Sequence, residues 1–330
     1  MNHDVFNGDA DGICALHQLR LAFPATNNLV TGTKRDNDLL QNVEAGAGDE
    51  VTVLDLALDK NRAALLALLG KGAKVQYFDH HVAKDIPEHP NLAATIDTSP
   101  EVCTSLLVNR HLDGKHLGGK HLGGKYLIWA VVGAFGDNLH EAANRAAQPL
   151  GLKPQQLVTL RELGECINYN SYGESVADLH FPPAELYRIL HQFKNPFVFI
   201  NENGIFEILK QGYTEDMALA RAVKPEHETP HGAVYILPAK PWSRRVSGAF
   251  GNVLASAAPD RAHAVLTQRG DGAFVVSVRA PQSASSGADI LCSRFATGGG
   301  RKGAAGINRL PENELPQFMQ AFDEVFSAGS

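Results

Sequence analysis

Through the first hundred residues, short apolar runs rich in β-branched side chains alternate with stretches in which apolar residues recur every three or four positions. The runs at 3–7, 28–31, 51–54, 75–78 and 92–96 predict strands. Between them, Ile13, Leu16, Leu19 and Phe23 mark a helical stripe that Pro24 ends. A short helix is expected at 39–43, and a longer Ala- and Leu-rich one at 59–69, stopped by Gly70 and Gly72. Ser99 and Pro100 read as the cap and first turn of a helix over 102–110. Further helices are expected at 126–135, 140–147 and 157–167. Strands that are apolar throughout, alternating with helices, predict a parallel sheet covered on both faces.

Beyond a polar break at 168–173 the pattern is helical, with residues 197–200 entering a linker made of two pieces, 204–210 and 217–223. Strands return at 233–237, 262–267 and 273–278, the last two joined by a turn at 268–272. Helices are expected at 245–257, 287–295 and 311–326, with a strand beginning at Ile307. The fold class is therefore α/β: a mainly parallel, doubly wound sheet, then a helical connector, then a smaller α+β domain. The expected boundaries are 1–150, 151–228 and 229–330. Residues 114–125 repeat Lys-His-Leu-Gly-Gly, which is too short for a solenoid. They read as an exposed loop, despite His116 and His121.

Polar residues fall where this pattern predicts strand ends. Asp79, His80 and His81 follow the run 74–78, Asp9 and Asp11 follow the first strand, and Asp55 follows the third. Asp137 follows the apolar helix, where it reads equally well as a cap for the next one. In parallel α/β sheets the ligand site lies at the carboxyl edge, so these residues are expected in one crevice. Clustered carboxylates raise one another's pKa unless cations neutralise them. Oxygen ligands with one or two imidazoles suit Mn²⁺, with Mg²⁺ as the alternative, better than zinc. Two such ions are a standard device of phosphoryl chemistry.

Charge adds a second clue. The chain of 330 residues has a net charge of −6, yet residues 239–309 hold ten basic residues against three acidic ones. That imbalance predicts an anionic substrate held by the second half. Overall acidity, and the lack of a basic extension interleaved with aromatics, argue against long nucleic acid. Cys14, Cys103, Cys166 and Cys292 are far apart and read as buried thiols of a reducing compartment. With no leader pattern and no apolar run of spanning length, a cytoplasmic location without membrane contact is expected.

The ordered motifs carry a family resemblance. Residues 7–12, Asn-Gly-Asp-Ala-Asp-Gly, then Val53-Leu54-Asp55, Asp79-His80-His81 and Gly136-Asp137-Asn138 resemble the four motifs of the DHH phosphoesterases. That family includes RecJ-like exonucleases, nano-oligonucleotide phosphatases and cyclic-dinucleotide phosphodiesterases. Gly298, Gly299, Gly300 and Arg301 resemble the Gly-Gly-Gly-His signature of its associated substrate-binding domain. The resemblance implies that Asp9 ligates a first metal, Asp11, His80 and Asp137 a second, and that Asp55 bridges them. It implies that Asp79 orients the histidine pair, that His81 lies near the scissile phosphate, and that Gly298–Gly300, Arg301 and Lys302 bind substrate. Many members carry a further His or Asp just before the Asp-x-Asp pair, where this chain has Asn7. The first site is then short of a ligand, weak, or completed by another residue.

The expected activity is hydrolysis of phosphate esters or diesters in small nucleotides, such as short oligonucleotides or phosphoadenosine phosphate. The alternatives are a RecJ-like exonuclease on single strands and a nucleotide-binding regulator with weakened catalysis. The expected partners are a small phosphorylated substrate or a short single-stranded nucleic acid, with a homodimer left open.

Overall fold

A computed structural model describes residues 1–114 and 124–327 in full, and between them the backbone of 116–117, 120–121 and Gly123. The chain divides into two compact units, Met1–Gln211 and Gly212–Ser330.

The first unit opens with β1 (His3–Phe6), α1 (Ala10–Ala22), β2 (Asn28–Val30), β3 (Glu50–Leu54), α2 (Leu58–Gly70), β4 (Lys74–Asp79) and β5 (Leu92–Ile96). The five strands form a sheet in the order β2-β1-β3-β4-β5, and every pairing is parallel. Alternation along each strand builds two cores. Phe6, Leu54 and Phe78 point into one, with Ile13 and Leu16 of α1. Val5, Val53 and Tyr77 point into the other, with Leu58, Leu65 and Leu68 of α2. Both faces are buried, which is why these strands read as unbroken apolar runs.

Helices then complete the first core: α3 (Thr104–Asp113), α4 (Gly123–Gly136), α5 (His140–Ala147), α6 (Pro154–Tyr169), α7 (Pro183–Leu190) and α8 (Pro196–Asn203). Trp129, Leu160, Leu186 and Phe199 carry them into a single cluster with α1. The connector expected at 204–210 and 217–223 is one helix, α9 (Ile205–Ala222), because nothing in its apolar stripe breaks at Gly212. The preceding Gly204, at φ 77°, ends α8 in the left-handed conformation that glycine adopts freely.

Two local expectations change. Ser99 and Pro100 do not start a helix: α3 begins at Thr104 with Cys103 as its cap residue, and no side chain caps it locally. The repeat 114–125 lies partly outside the described residues; the backbone of β6 (His116–Leu117) pairs antiparallel with β7 (Lys120–His121).

The second unit holds β8 (His227–Thr229), β9 (Gly232–Leu237), α10 (Pro241–Ala257), β10 (Ala262–Gln268), β11 (Phe274–Arg279), α11 (Ala288–Cys292), β12 (Gly298–Arg301), β13 (Ala304–Leu310) and α12 (Leu315–Ser327). Its mixed sheet runs β12-β13-β11-β10-β9-β8, with only β9–β10 parallel. Leu291, Phe318 and Phe322 pack against one face through Val276, Val278 and Ile307. Residues 298–301, which precede the strand expected from Ile307, form an edge strand of their own, which propensity hides because glycine is poor in strands.

Candidate metal centre at the carboxyl edge of the parallel sheet

Register brings the site together. Phe6 pairs with Leu54 and Leu54 with Phe78, so Asn7, Asp55 and Asp79 leave their strands side by side. In the order β2-β1-β3-β4-β5 the chain reverses between β1 and β3, the switch point where α/β sheets open a crevice. Asn7, Asp9, Lys34, Asp55, His80, His81 and Asp137 line a pocket there, with Asn37 and Ala57.

Asp9 is the cap residue of α1, and its Oδ1 accepts from the Asp11 and Gly12 backbone N–H groups at 3.0 Å each. Asp11 faces α3. Its two carboxylate oxygens accept from the Thr104 and Ser105 N–H groups, both at 2.7 Å. The N-terminus of α3, left without a local cap, thus uses a carboxylate from α1.

Asp55 is held in the left-handed region at φ 59°, and its N–H donates to the Phe78 carbonyl at 3.0 Å. The residue is 2 % exposed, and its carboxylate accepts from the Thr104 hydroxyl. Burial first, and then Asp9, Asp11, Asp137 and Asp79, push its pKa well above the ordinary value. Asp137 follows the last turn of α4, which ends with Asn138 at φ 64° and the Leu139 N–H bonded to the Ala134 carbonyl. The cap residue of α5 is Leu139, so Asp137 does not cap that helix. Close approach of α4 to α6 sets its position: a Cβ on Gly164 would lie 2.3 Å from the Val132 carbonyl oxygen. Burial raises the Asp137 pKa; Lys34 opposes this, and Asp11 and Asp9 add to it.

The histidines divide their nitrogens. His80 Nδ1 lies 2.9 Å from the Val102 carbonyl, which can only accept, so this nitrogen carries a proton. In the neutral ring Nε2 is then a bare donor atom, 3.5 Å from Asp55 Oδ1 and 3.7 Å from Asp137 Oδ2. A backbone carbonyl behind a ligating histidine is the usual way to fix its tautomer. His81 Nδ1 donates to Asp79 Oδ1 at 2.7 Å. Burial would lower the His81 pKa, but Asp79, with Asp137 and Asp9 behind it, outweighs this and the net shift is upward. Asp79 itself is fully buried, and its Oδ2 has no hydrogen-bond partner among the described residues.

Two sets of donor atoms converge closely enough to hold one ion: Asp55, His80 and His81, and Asp11, His80 and Asp137. Carboxylates and imidazole crowded together, with an orphaned buried oxygen beside them, fit a divalent cation chemically. Asp9 belongs to neither set among the described residues. Instead its Oδ2 accepts from Lys34 Nζ at 2.6 Å. Burial raises the Asp9 pKa, yet the Lys34 ammonium, helped by the hydrogen bond from the Gly12 N–H, holds the carboxyl below its usual range. Burial likewise disfavours the charge on Lys34, but Asp9, Tyr172 and Asp137 hold its pKa well above the ordinary value.

In the second unit two glycines of the 298–300 triplet are required by the fold itself. A Cβ on Gly298 would meet the Cys292 carbonyl oxygen at 1.8 Å, and one on Gly300, at φ 145°, would meet Ala305 Cα at 2.5 Å. Gly299, between them, faces open space. Arg301 and Lys302 are exposed on the edge hairpin. Three carboxylates from outside 239–309 offset part of its basic excess, as Arg245 pairs with Asp216, Arg261 with Glu228 and Arg294 with Glu324; within the window Arg309 pairs with Asp271. All four cysteines are free and buried, and no helix among the described residues is long and apolar enough to cross a membrane.

Sequence reasoning missed Lys34, Asn168, Val102 and Thr104. Lys34 was readable in principle, because the loop after β2 leaves the same sheet edge as the acidic motifs. The others act through backbone atoms or arrive from helices far along the chain.

No protein-family model and no curated protein matches the chain by sequence. Solved structures do match by fold. Exonuclease RecJ bound to manganese superposes with a TM-score of 0.64 at 16 % identity, covering 100 % of this chain and 90 % of that one. The chain has the RecJ-like fold. RecJ of Thermus thermophilus in complex with Mn²⁺ also gives 0.64, at 17 % identity, but this chain spans only 52 % of it. The pGpG-specific phosphodiesterase PggH of Vibrio cholerae gives 0.55 at 13 % identity, with 100 % of both chains covered. This is the fold that the DHH resemblance implies.

Proposed function

We propose that this chain hydrolyses phosphoester bonds in small nucleotide substrates at a divalent-cation centre built by Asp55, His80 and Asp137, with Asp11 beside them. The observation that carries the reading is that Asp55, His80 and Asp137, from three separate elements, line one pocket with His81, and that donor atoms converge about His80 in two sets, one with Asp55 and His81 and one with Asp11 and Asp137. When bound, such a cation lowers the pKa of water and stabilises charge on phosphoryl oxygens, with Mn²⁺ as the expected ion.

The chain's own residues supply the rest. Val102 holds the His80 tautomer, so that Nε2 faces the carboxylates. Asp79 fixes the His81 ring and favours its protonated form. His81, 43 % exposed at the pocket mouth, is then placed to bind a phosphate oxygen and to deliver a proton to the leaving group. Arg301 and Lys302 are the proposed phosphate contacts of the second unit, where a guanidinium can grip an oxyanion bidentately. Overall acidity supports short substrates, as does the end-to-end match with a pGpG-specific phosphodiesterase. Exonuclease action on longer single strands is the second reading, favoured by the higher TM-score to RecJ.

Purified protein offered a two-nucleotide substrate, a five-nucleotide substrate and a long single strand separates the readings. Faster Mn²⁺-dependent turnover of the short substrates supports the first reading. Preference for the long strand supports the second. Binding without turnover of any of them defeats both.

A further inference from the structure

Asn7 and Lys34, which no motif predicted together, are joined to each other and to Asp9. Asn7 Oδ1 accepts from the Asp9 N–H at 3.2 Å, while its Nδ2 donates to the Lys34 carbonyl at 3.4 Å. A carboxylate at position 7 could not make that donation and would turn a negative charge toward the Lys34 carbonyl.

Lys34 is held from several sides. Its N–H donates to the Ser171 carbonyl at 2.8 Å, and its Nζ donates to Asn168 Oδ1 at 3.0 Å and to Asp9 Oδ2 at 2.6 Å. The ammonium also lies 5.7 Å from the centre of the Tyr172 ring. Asp137 Oδ1 lies 3.5 Å from Lys34 Nζ, while its Oδ2 lies 3.7 Å from His80 Nε2.

The geometry points to Lys34 as a built-in cation that replaces the first divalent ion, leaving a centre for a single metal ion at Asp55, His80 and Asp137. This rests on the phosphoesterase reading above and sharpens it. Both Asp9 oxygens are already engaged, one by α1 and one by the ammonium. The charges agree. The carboxylates of Asp9, Asp55 and Asp137 are balanced by one ammonium and one dication, Asp11 is met by the N-terminus of α3, and Asp79 by the His81 ring. A second dication would have to approach an ammonium that is fixed in place, an unfavourable encounter in a partly buried pocket.

The test is a metal count on the intact chain. Metal-free protein is dialysed against rising Mn²⁺, bound metal is measured by mass spectrometry, and the electron paramagnetic resonance spectrum is recorded. The expected result is saturation at one Mn²⁺ per chain, with the hyperfine-split signal of an isolated ion. The double variant Asn7→Asp with Lys34→Ala should take up a second ion and show an exchange-coupled spectrum. Two coupled ions in the unaltered protein would overturn the inference while leaving the phosphoesterase reading intact. No bound ion at all would overturn the metal centre itself. A folded double variant that still binds one ion would show that Lys34 does not exclude the other. If that variant does not fold, Lys34→Met replaces it, and the count on the unaltered chain decides.

Discussion

Asp55 sits among four other carboxylates, and burial followed by Asp9, Asp11, Asp137 and Asp79 lifts its pKa well above the ordinary 3.8. The sign of the linkage follows. A group whose folded pKa is raised contributes stability that is complete below its unfolded value and is lost as pH rises through the folded value. Metal-free protein should therefore lose thermal stability as pH climbs from about 4 toward neutrality. Asp137 acts in the same direction, and Asp55→Asn should flatten the slope. Melting curves across pH, with and without Mn²⁺, check this: the ion should restore stability in the unaltered protein and do little for the variant. Lys34 behaves oppositely to a metal ligand. Lys34→Ala strands the buried Asp9 charge and should cost about 3–5 kcal/mol in metal-free protein, read from denaturant unfolding. His81→Gln should keep metal uptake but lower turnover by about 10²–10⁴-fold, the usual range for a positioned acid.

At the scale of elements, the parallel sheet was legible because its strands are buried on both faces and therefore read as apolar runs. The acidic motifs were legible because each sits at a strand or helix end. What escaped was whatever depends on another element's backbone. The true start of α3 carries no local cap, since Asp11 supplies it from α1. Ser99 and Pro100 had the right chemistry for a helix start and the wrong place. Lys34 lies in a loop whose neighbours Asn168 and Ser171 follow it by more than 130 positions in sequence, a separation no periodicity reveals. Asp11 accordingly has a scaffold role that can be separated from metal binding. Asp11→Ala should lose about 2–4 kcal/mol in metal-free protein, as expected for two charge-assisted bonds to a helix terminus. Equal stability of the variant and the unaltered chain in chemical denaturation would rule that role out. Gly164→Ala should press on the Val132 carbonyl across the α4–α6 contact and weaken metal affinity without touching a ligand.

For the whole molecule, ion pairing narrows what the charge pattern of the second half implies. Part of the basic excess at 239–309 is taken up by Asp216, Glu228 and Glu324 from outside that window, and Arg301 and Lys302 are exposed on the edge hairpin. Two of the three glycines before them are needed by the fold itself, so Arg301 is the sharper probe of substrate binding there. The measurement that bears most directly on the account is cleavage of a 5′-phosphorylated dinucleotide under Mn²⁺, compared between the unaltered protein and His80→Ala. The account predicts metal-dependent release of mononucleotides, lost by more than about 100-fold when His80 is removed. Undiminished cleavage by His80→Ala, or no cleavage by a protein that binds Mn²⁺, would contradict it.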